Sequence, residues 1–272
     1  MNRKELLDRV NKKNISRILI AHPLGEILRE EDFDIDFQEF ITTVSKDGEY
    51  HYFPLDREFN IAIDGPSGSG KSTIAKKIAK QLNIAYLDTG AMYRGITYAL
   101  MEKKIDLHNE GAIKVALEEM SFQYDHGKLL LNGEDLEDRI RSKEVTDQVS
   151  LVSSYGFVRE KLVDTQREIS KKQSTVLDGR DIGTVVLPQA KVKIYLTATP
   201  EVRAKRRFKQ MNEAIAFEMV LSDINRRDEY DTTREISPLK KAEDGIRLDN
   251  SNMDEGETIQ KVMEIILKKA GE

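Results

Sequence analysis

One short stretch constrains this chain more than any other. Residues 59–63 (FNIAI) form an apolar run that stops at Asp64. Gly65-Pro66-Ser67-Gly68-Ser69-Gly70-Lys71-Ser72 follows, and then a segment with Ile74, Ile78 and Leu82 at i, i+4 and i+8, the spacing of one helix face. A buried strand, a glycine loop and an amphipathic helix are therefore expected in that order. Small residues let consecutive backbone N–H groups turn inward. The helix that follows points its positive end at whatever the loop holds. This G-x-x-x-x-G-K-[ST] pattern is the one that cradles a chain of phosphates. Lys71 can then reach the outer phosphates as a point charge, and the Ser72 hydroxyl can ligate Mg²⁺.

Composition narrows the alternatives. With 272 residues, 39% of them apolar, the chain is long enough for a substantial core. Its net charge of −5 argues against a general nucleic-acid binder, which is normally basic. There is no cysteine, which excludes disulfides, thiolate catalysis and zinc–sulfur sites and fits a reducing cytoplasm. The longest stretch without Asp, Glu, Lys or Arg is residues 148–158, far short of the ~20 that span a bilayer. The N-terminal MNRKELLDRVNKKN has no apolar region of the signal-peptide kind. Neither a membrane nor nucleic acid is expected as a partner.

From residue 59 onward, strand and helix patterns alternate. Residues 84–87, 174–177 and 192–196 read as short buried strands and 89–101 as a helix. The chain ends in a helix with Ile259, Val262, Met263 and Ile266 on one face. That alternation predicts an α/β fold, a parallel sheet covered by helices on both sides. Two regions interrupt it. Residues 122–131 read as a hairpin, followed by charged helix to about 172, and residues 201–234 read as almost entirely helical. Both are expected to leave the sheet at its C-terminal edge, where open α/β sheets bind ligands. Residues 1–56 read as a small α+β extension, with strands over 17–21, 33–44 and 50–53 and a turn at Lys46-Asp47-Gly48.

The residues beyond the loop suit a small-molecule kinase. No Asn-Lys-x-Asp element follows the loop, so a guanine-reading switch is not supported. Phosphoryl transfer needs a second anion site and cations for the moving group. Arg94 follows the 84–87 strand, and Arg180 and Asp181 follow the 174–177 strand. Arg226, Arg227, Asp228, Asp231 and Arg234 cluster near the end of the second excursion. Arg203, Lys205, Arg206, Arg207 and Lys209 make a basic helical stretch, which is either a solvated face or a phosphate-binding one. Asp178 fits a helix cap as well as a phosphate-site acid, and Arg180 fits a surface ion pair as well as an anion site. The histidines, His22, His51, His108 and His126, all lie away from the core strand ends and read as surface residues.

Four motifs in this order, IDGPSGSGKST, LDTGAMYR, LDGRDIGTVV and RRDEYDTTREISPL, resemble the bacterial cytidylate kinase family, and IRSKEVTDQVSLVSSYGFVRE is similar to its acceptor-binding insert. The resemblance covers residues 57–272 and implies a three-layer P-loop fold with an acceptor-binding insert over about 121–172 and a helical lid over about 201–234. It implies transfer of the ATP γ-phosphoryl group to CMP or dCMP with Mg²⁺. Gly65, Pro66, Ser67, Gly68, Ser69, Gly70, Lys71, Ser72 and Thr73 would bind ATP, with Arg206 and Arg207 in the lid above it. Arg94, Arg180 and Arg227 would hold the acceptor phosphate. Ser150, Arg159 and Arg234 would read the cytosine, and Asp231 would bind the sugar hydroxyls. Thr89, Tyr93, Arg141 and Asp181 would complete that pocket. Lys71, Asp178, Arg180 and Arg227 would be the catalytic set. Two other readings stand beside this one: a kinase for a different small acceptor, and a nucleotide-responsive binding protein acting through residues 1–56. The lid departs from the family in having no glycine over 211–220, and residues 1–56 have no counterpart in it.

Overall fold

Short aliphatic runs set the strands, and their neighbours in sequence decide which faces are buried. The computed structural model describes residues 18–21, 27–29, 51–54, 59–82, 84–125, 128–136, 139–211 and 214–271. The first strands, β1 (Ile18–Ala21), β2 (Ile27–Arg29) and β3 (His51–Pro54), form an antiparallel sheet ordered β2-β1-β3, with Leu19 opposite both Arg29 and Phe53. Strands were expected near β1 and β3, whereas β2 was not; the strand expected over 33–44 lies outside the described residues.

The remainder runs β4 (Ile61–Asp64), α1 (Lys71–Leu82), β5 (Ala85–Asp88), α2 (Thr89–Glu102) and α3 (Glu110–Glu118). An antiparallel meander follows, β6 (Phe122–Asp125), β7 (Lys128–Leu131) and β8 (Glu134–Asp135), then α4 (Lys143–Val152) and α5 (Gly156–Lys172). The chain continues through β9 (Thr175–Gly179), β10 (Val192–Thr197), α6 (Pro200–Gln210), α7 (Phe217–Thr233), β11 (Ile246–Asp249) and α8 (Glu255–Gly271).

The central sheet is parallel throughout, in the order β11-β10-β4-β9-β5. Side chains alternate across it. Ile61, Ile63 and Val176 pack with Ile74, Ile78 and Leu82 of α1 and Val262 and Ile266 of α8. Ala62 and Leu177 face the other way, onto Met92 and Ile96 of α2 and Val158 and Leu162 of α5. That is why residues 61–63 of β4 and Val176-Leu177 of β9 are apolar on both faces rather than alternating: both sides of these strands are buried. Each fully buried isoleucine here contributes about 1.5–3 kcal/mol.

The first excursion runs between α3 and β9, and the second between β10 and β11. The meander comes close to α2 because Gly95 leaves room; a Cβ there would lie 3.6 Å from the Phe122 ring and 3.8 Å from Leu131. The region expected as almost entirely helical over 201–234 is a pair of helices, α6 and α7, closed by Ala204, Val220 and Ile224 and by an edge contact between Phe208 and Phe217. Thr199 caps α6 and Pro200 starts it, a pairing that suits a helix N-terminus. Strand β11 and helix α3 were not expected. The IRLD of β11 is too short and too charged to register as a buried strand, yet it pairs in parallel with β10 at the sheet edge.

Candidate active site

The loop after β4 is shaped by glycine. Gly65 has φ +153°, and a Cβ on it would lie 2.0 Å from the Leu196 carbonyl of the neighbouring strand β10, so no other residue fits there. Gly68 and Gly70 also have left-handed φ, +75° and +89°. The loop then feeds α1, whose N-terminus opens on a cavity of about 770 Å³. Ser67, Gly68, Gly70, Lys71, Ser72 and Thr73 line that cavity; Gly65, Pro66 and Ser69 do not. Those three build the loop from behind. Gly65 packs on β10, Pro66 offers its carbonyl to the Lys71 ammonium at 2.8 Å, and Ser69 is fully buried with a hydroxyl that makes no protein hydrogen bond.

Lys71 is buried, which lowers its pKa to about 7, and the nearby Arg180 cation acts in the same direction. Opposite it stands Asp178 at the end of β9. Burial, with the charge of Asp88 adding to it, raises the Asp178 carboxyl to about 6. Its Oδ2 accepts from the Ser72 hydroxyl at 2.7 Å and its Oδ1 from the Tyr86 hydroxyl at 2.9 Å. Asp178 thus ends a strand and caps no helix. Its carboxylate and the Ser72 hydroxyl form a pair of hard oxygen donors at the loop, a set that fits Mg²⁺, which takes few protein ligands and completes its shell with water and phosphate oxygens. Among the described residues no cluster of three or more acidic, histidine or cysteine side chains could hold a metal.

The opposite wall is built of guanidinium groups, each already facing a carboxylate. Asp88 caps α2 through the Ala91 N–H at 2.8 Å, pairs with Arg94 at 2.9 Å and lies 3.5 Å from Arg141. Arg180 pairs with Asp231 at 2.6 Å, and Arg234 approaches the other Asp231 oxygen at 3.8 Å. Burial pushes the Asp231 carboxyl up, but the Arg180 charge and hydrogen bond more than offset it, so the net shift is downward. Arg159 and Asp181 form a buried pair, and the Arg159 guanidinium lies over the Tyr93 ring at 5.3 Å from its centroid. Burial pushes the Tyr93 hydroxyl up to about 12. Thr89 donates to the Asp178 backbone carbonyl at 2.7 Å. Ser150 lines the same wall. Arg227 reaches Asp223 at 3.1 Å.

On α6, Arg206 donates to the Asn250 carbonyl at 2.8 Å and to its side-chain oxygen at 3.0 Å, which ties that helix to the loop after β11. Arg207 faces the cavity, its pKa lowered by burial and by the cations Arg227, Arg94 and Arg141.

All the residues expected at the acceptor and lid positions line this single cavity. Sequence reasoning passed over four others. Tyr86 fixes Asp178, Asp88 anchors two arginines, and Asn250 donates to the Ser69 carbonyl at 3.2 Å. Asp64 accepts from the Ile182 and Gly183 N–H groups, both at 2.8 Å, and so pins the π-helical turn that follows Arg180 and Asp181. Burial raises Asp64 to about 6, against those two hydrogen bonds. The aspartates at the ends of β4 and β5, each followed by glycine within two residues, were the available signal.

Few chemistries need a backbone cradle for one phosphate chain and, across the same cleft, a wall of cations for a second anion. Transfer of a phosphoryl group between two bound molecules does, and on this parallel sheet it marks a P-loop phosphotransferase. A family model for cytidylate kinase matches residues 61–270, and the chain belongs to the cytidylate kinase family. It is 44% identical over 220 residues to a cytidylate kinase from Bacillus anthracis, an alignment covering 78% of this chain and 98% of that protein. It is 44% identical over 219 residues to one from Bacillus cereus, with 78% and 97% covered. A solved shikimate kinase from Bacteroides thetaiotaomicron aligns at 12% identity over 76% of this chain and 97% of that one, with a TM-score of 0.39, too distant a likeness to add to the assignment.

Proposed function

We infer that the protein transfers the γ-phosphoryl group of ATP to CMP or dCMP, giving ADP and the nucleoside diphosphate. The observation that carries this is the single cavity with the Lys71 loop at one end and the Arg94, Arg159 and Arg180 wall at the other, in a chain of the cytidylate kinase family.

In this reading the inward N–H groups of residues 67–72 hold the ATP phosphates, and Lys71 leaves the Pro66 carbonyl to reach them. Arg94 and Arg180 exchange Asp88 and Asp231 for the acceptor phosphate, so the wall stays charge-balanced before binding and turns its charge to the substrate after it. Arg227 and Arg207 add positive charge where the phosphoryl group moves. Arg206 closes over the nucleotide, and closure keeps water from taking the group. Ser72 and Asp178 would hold Mg²⁺, which when bound neutralises charge on the phosphate oxygens. Arg159, Ser150, Asp181 and Arg234 read the base. Cytosine offers acceptors at N3 and O2 and a donor at N4, whereas uracil turns an N3–H toward the same arginine. A base that leaves such a buried donor unpaired is strongly disfavoured. Tyr93, Thr89 and Arg141 shape the pocket, and Asp231 is freed to meet the sugar.

We assign residues 1–56 as an appendage outside this machinery, supported by their separate sheet and by a family match that begins at residue 61. We place the reaction in the cytoplasm; no helix among the described residues is long and apolar enough to cross a membrane.

The test is ADP release over a panel of CMP, dCMP, UMP, AMP and GMP, on full-length and truncated protein. CMP or dCMP is expected to be fastest. Fastest turnover of UMP or AMP would reject the cytosine assignment.

A further inference from the structure

One arginine of the basic lid stretch does not face the nucleotide cavity at all. Arg203, in the first turn of α6, is only 3% exposed. Its Nε donates to the Ala198 carbonyl at 2.9 Å, its Nη1 to the Ser67 carbonyl at 3.0 Å, and its Nη2 to Asp228 of α7 at 2.5 Å. One guanidinium therefore joins the segment after β10, the phosphate loop and the second lid helix. The contact with the loop is close. A Cβ on Gly68 would lie 3.2 Å from the Arg203 Cβ.

The geometry explains why the residue is arginine. A loop whose N–H groups turn inward to phosphate must turn carbonyls outward, and a buried carbonyl needs a donor. Ser67 finds that donor in Arg203. The planar fork of arginine serves three acceptors in fixed directions, which a lysine ammonium on a flexible stem cannot reproduce. Asp228 is the neighbour of Arg227 and precedes Asp231 by less than one turn, so whatever fixes Asp228 also fixes two residues of the cavity wall.

We propose that Arg203 is a positioning residue for phosphoryl transfer: it props the phosphate loop from behind through Ser67 and, through Asp228, sets where α7 carries Arg227 and Asp231 relative to that loop. The lid and the donor site are then mechanically one unit, joined on the side away from the ligand. This rests on the phosphotransferase reading above.

The test compares the full-length protein with Arg203→Met, Arg203→Lys, Asp228→Asn and the double variant Arg203→Met/Asp228→Asn. Steady-state kinetics against ATP and CMP are run beside calorimetric titration with ATP alone and thermal unfolding. Arg203→Met is expected to weaken ATP binding about tenfold and to lower kcat, with a smaller rise, about two- to fourfold, in KM for CMP because Asp231 shifts with Asp228. Asp228→Asn is expected to keep ATP affinity within about twofold and to lower kcat about five- to tenfold. Arg203→Lys should regain part of the ATP affinity but not the kcat. The double variant should be no worse than Arg203→Met alone, because both changes break one connection. The proposal is overturned if Arg203→Met leaves ATP affinity unchanged, if it raises both KM values equally, if Asp228→Asn leaves kcat unchanged, or if the two losses multiply. Should Arg203→Met fail to fold, Arg203→Lys and Asp228→Asn decide. A wild-type chain that binds ATP but does not phosphorylate CMP refutes the acceptor reading, and the ATP-affinity results then decide the role of Arg203.

Discussion

The two ends of the cavity are made of different material. At the end proposed for the donor the lining is largely backbone: one continuous loop, with Gly68 and Gly70 at left-handed φ, leading into a helix N-terminus. At the end proposed for the acceptor it is side chain, with guanidinium groups from α2, the turn before α4, α5, the end of β9 and α7 converging on one wall. The donor end is held ready by its own carbonyl, Pro66 to Lys71. The acceptor end is held ready by carboxylates, with Arg94 on Asp88, Arg159 on Asp181 and Arg180 on Asp231. A backbone site is rigid and chemically general, able to hold any phosphate chain. A side-chain site costs desolvation of many charges and gains selectivity for one acceptor.

The largest effect expected from this contrast is at Lys71. Lys71→Ala should lower kcat by about 10³-fold, the scale of losing one charge aimed at the transition state. It should leave the melting temperature unchanged or raised, since a buried cation is removed. A comparable fall in thermal stability would mean that Lys71 chiefly holds the fold, and the donor end would lose its distinct character.

At the acceptor end Arg159→Met should act differently. It strands Asp181 in a buried site, so about 3–5 kcal/mol of stability is expected to go with the partner. KM for CMP should rise about 100-fold, with most of the preference over UMP lost, while the dissociation constant for ATP stays put. Equal weakening of ATP and CMP would show that the two ends are not separable.

The smallest effect is with pH. In the free enzyme burial lowers Lys71 from its ordinary 10.5 to about 7, so kcat/KM for ATP should fall by about tenfold per pH unit above that point as the charge is lost. The guanidinium introduced by Lys71→Arg stays protonated and should abolish this limb. The stability contribution has the opposite sign. Between about 7 and 10.5 the unfolded chain binds the proton and the folded one does not, so the cost of burying this group is full below 7 and is relieved as pH rises. A rate profile flat to about pH 9 would show that Lys71 is charged in the free protein, sharpening the donor end as preformed.

Legibility in the sequence follows the same division. The loop and its flanking strand and helix could be read directly, because a backbone site occupies consecutive residues and leaves a contiguous signature. Arg94, Arg180, Arg227 and Arg234 could be singled out as candidates from their places in the chain, but Arg141, Arg159 and the role of each came only through the family motifs, since that chemistry depends on residues as distant in the chain as Arg94 and Arg234 meeting at one sheet edge. Arg203 illustrates the limit. Its local sequence is a charged helix, which reads as a solvated face or a phosphate site, and it is neither. Asn250 and Tyr86 carry no local signal at all.

What the sequence determined alone was therefore the alternation of buried strands with amphipathic helices and the phosphate loop, because both are fixed by interactions within a few residues. Tertiary structure decided which arginine faces which carboxylate, that Asp178 ends a strand beside Ser72, and that α6 buries an arginine against the loop. These depend on strand order and on the geometry of close approach in a low-dielectric interior, where a charge is tolerated only if the fold brings it a partner.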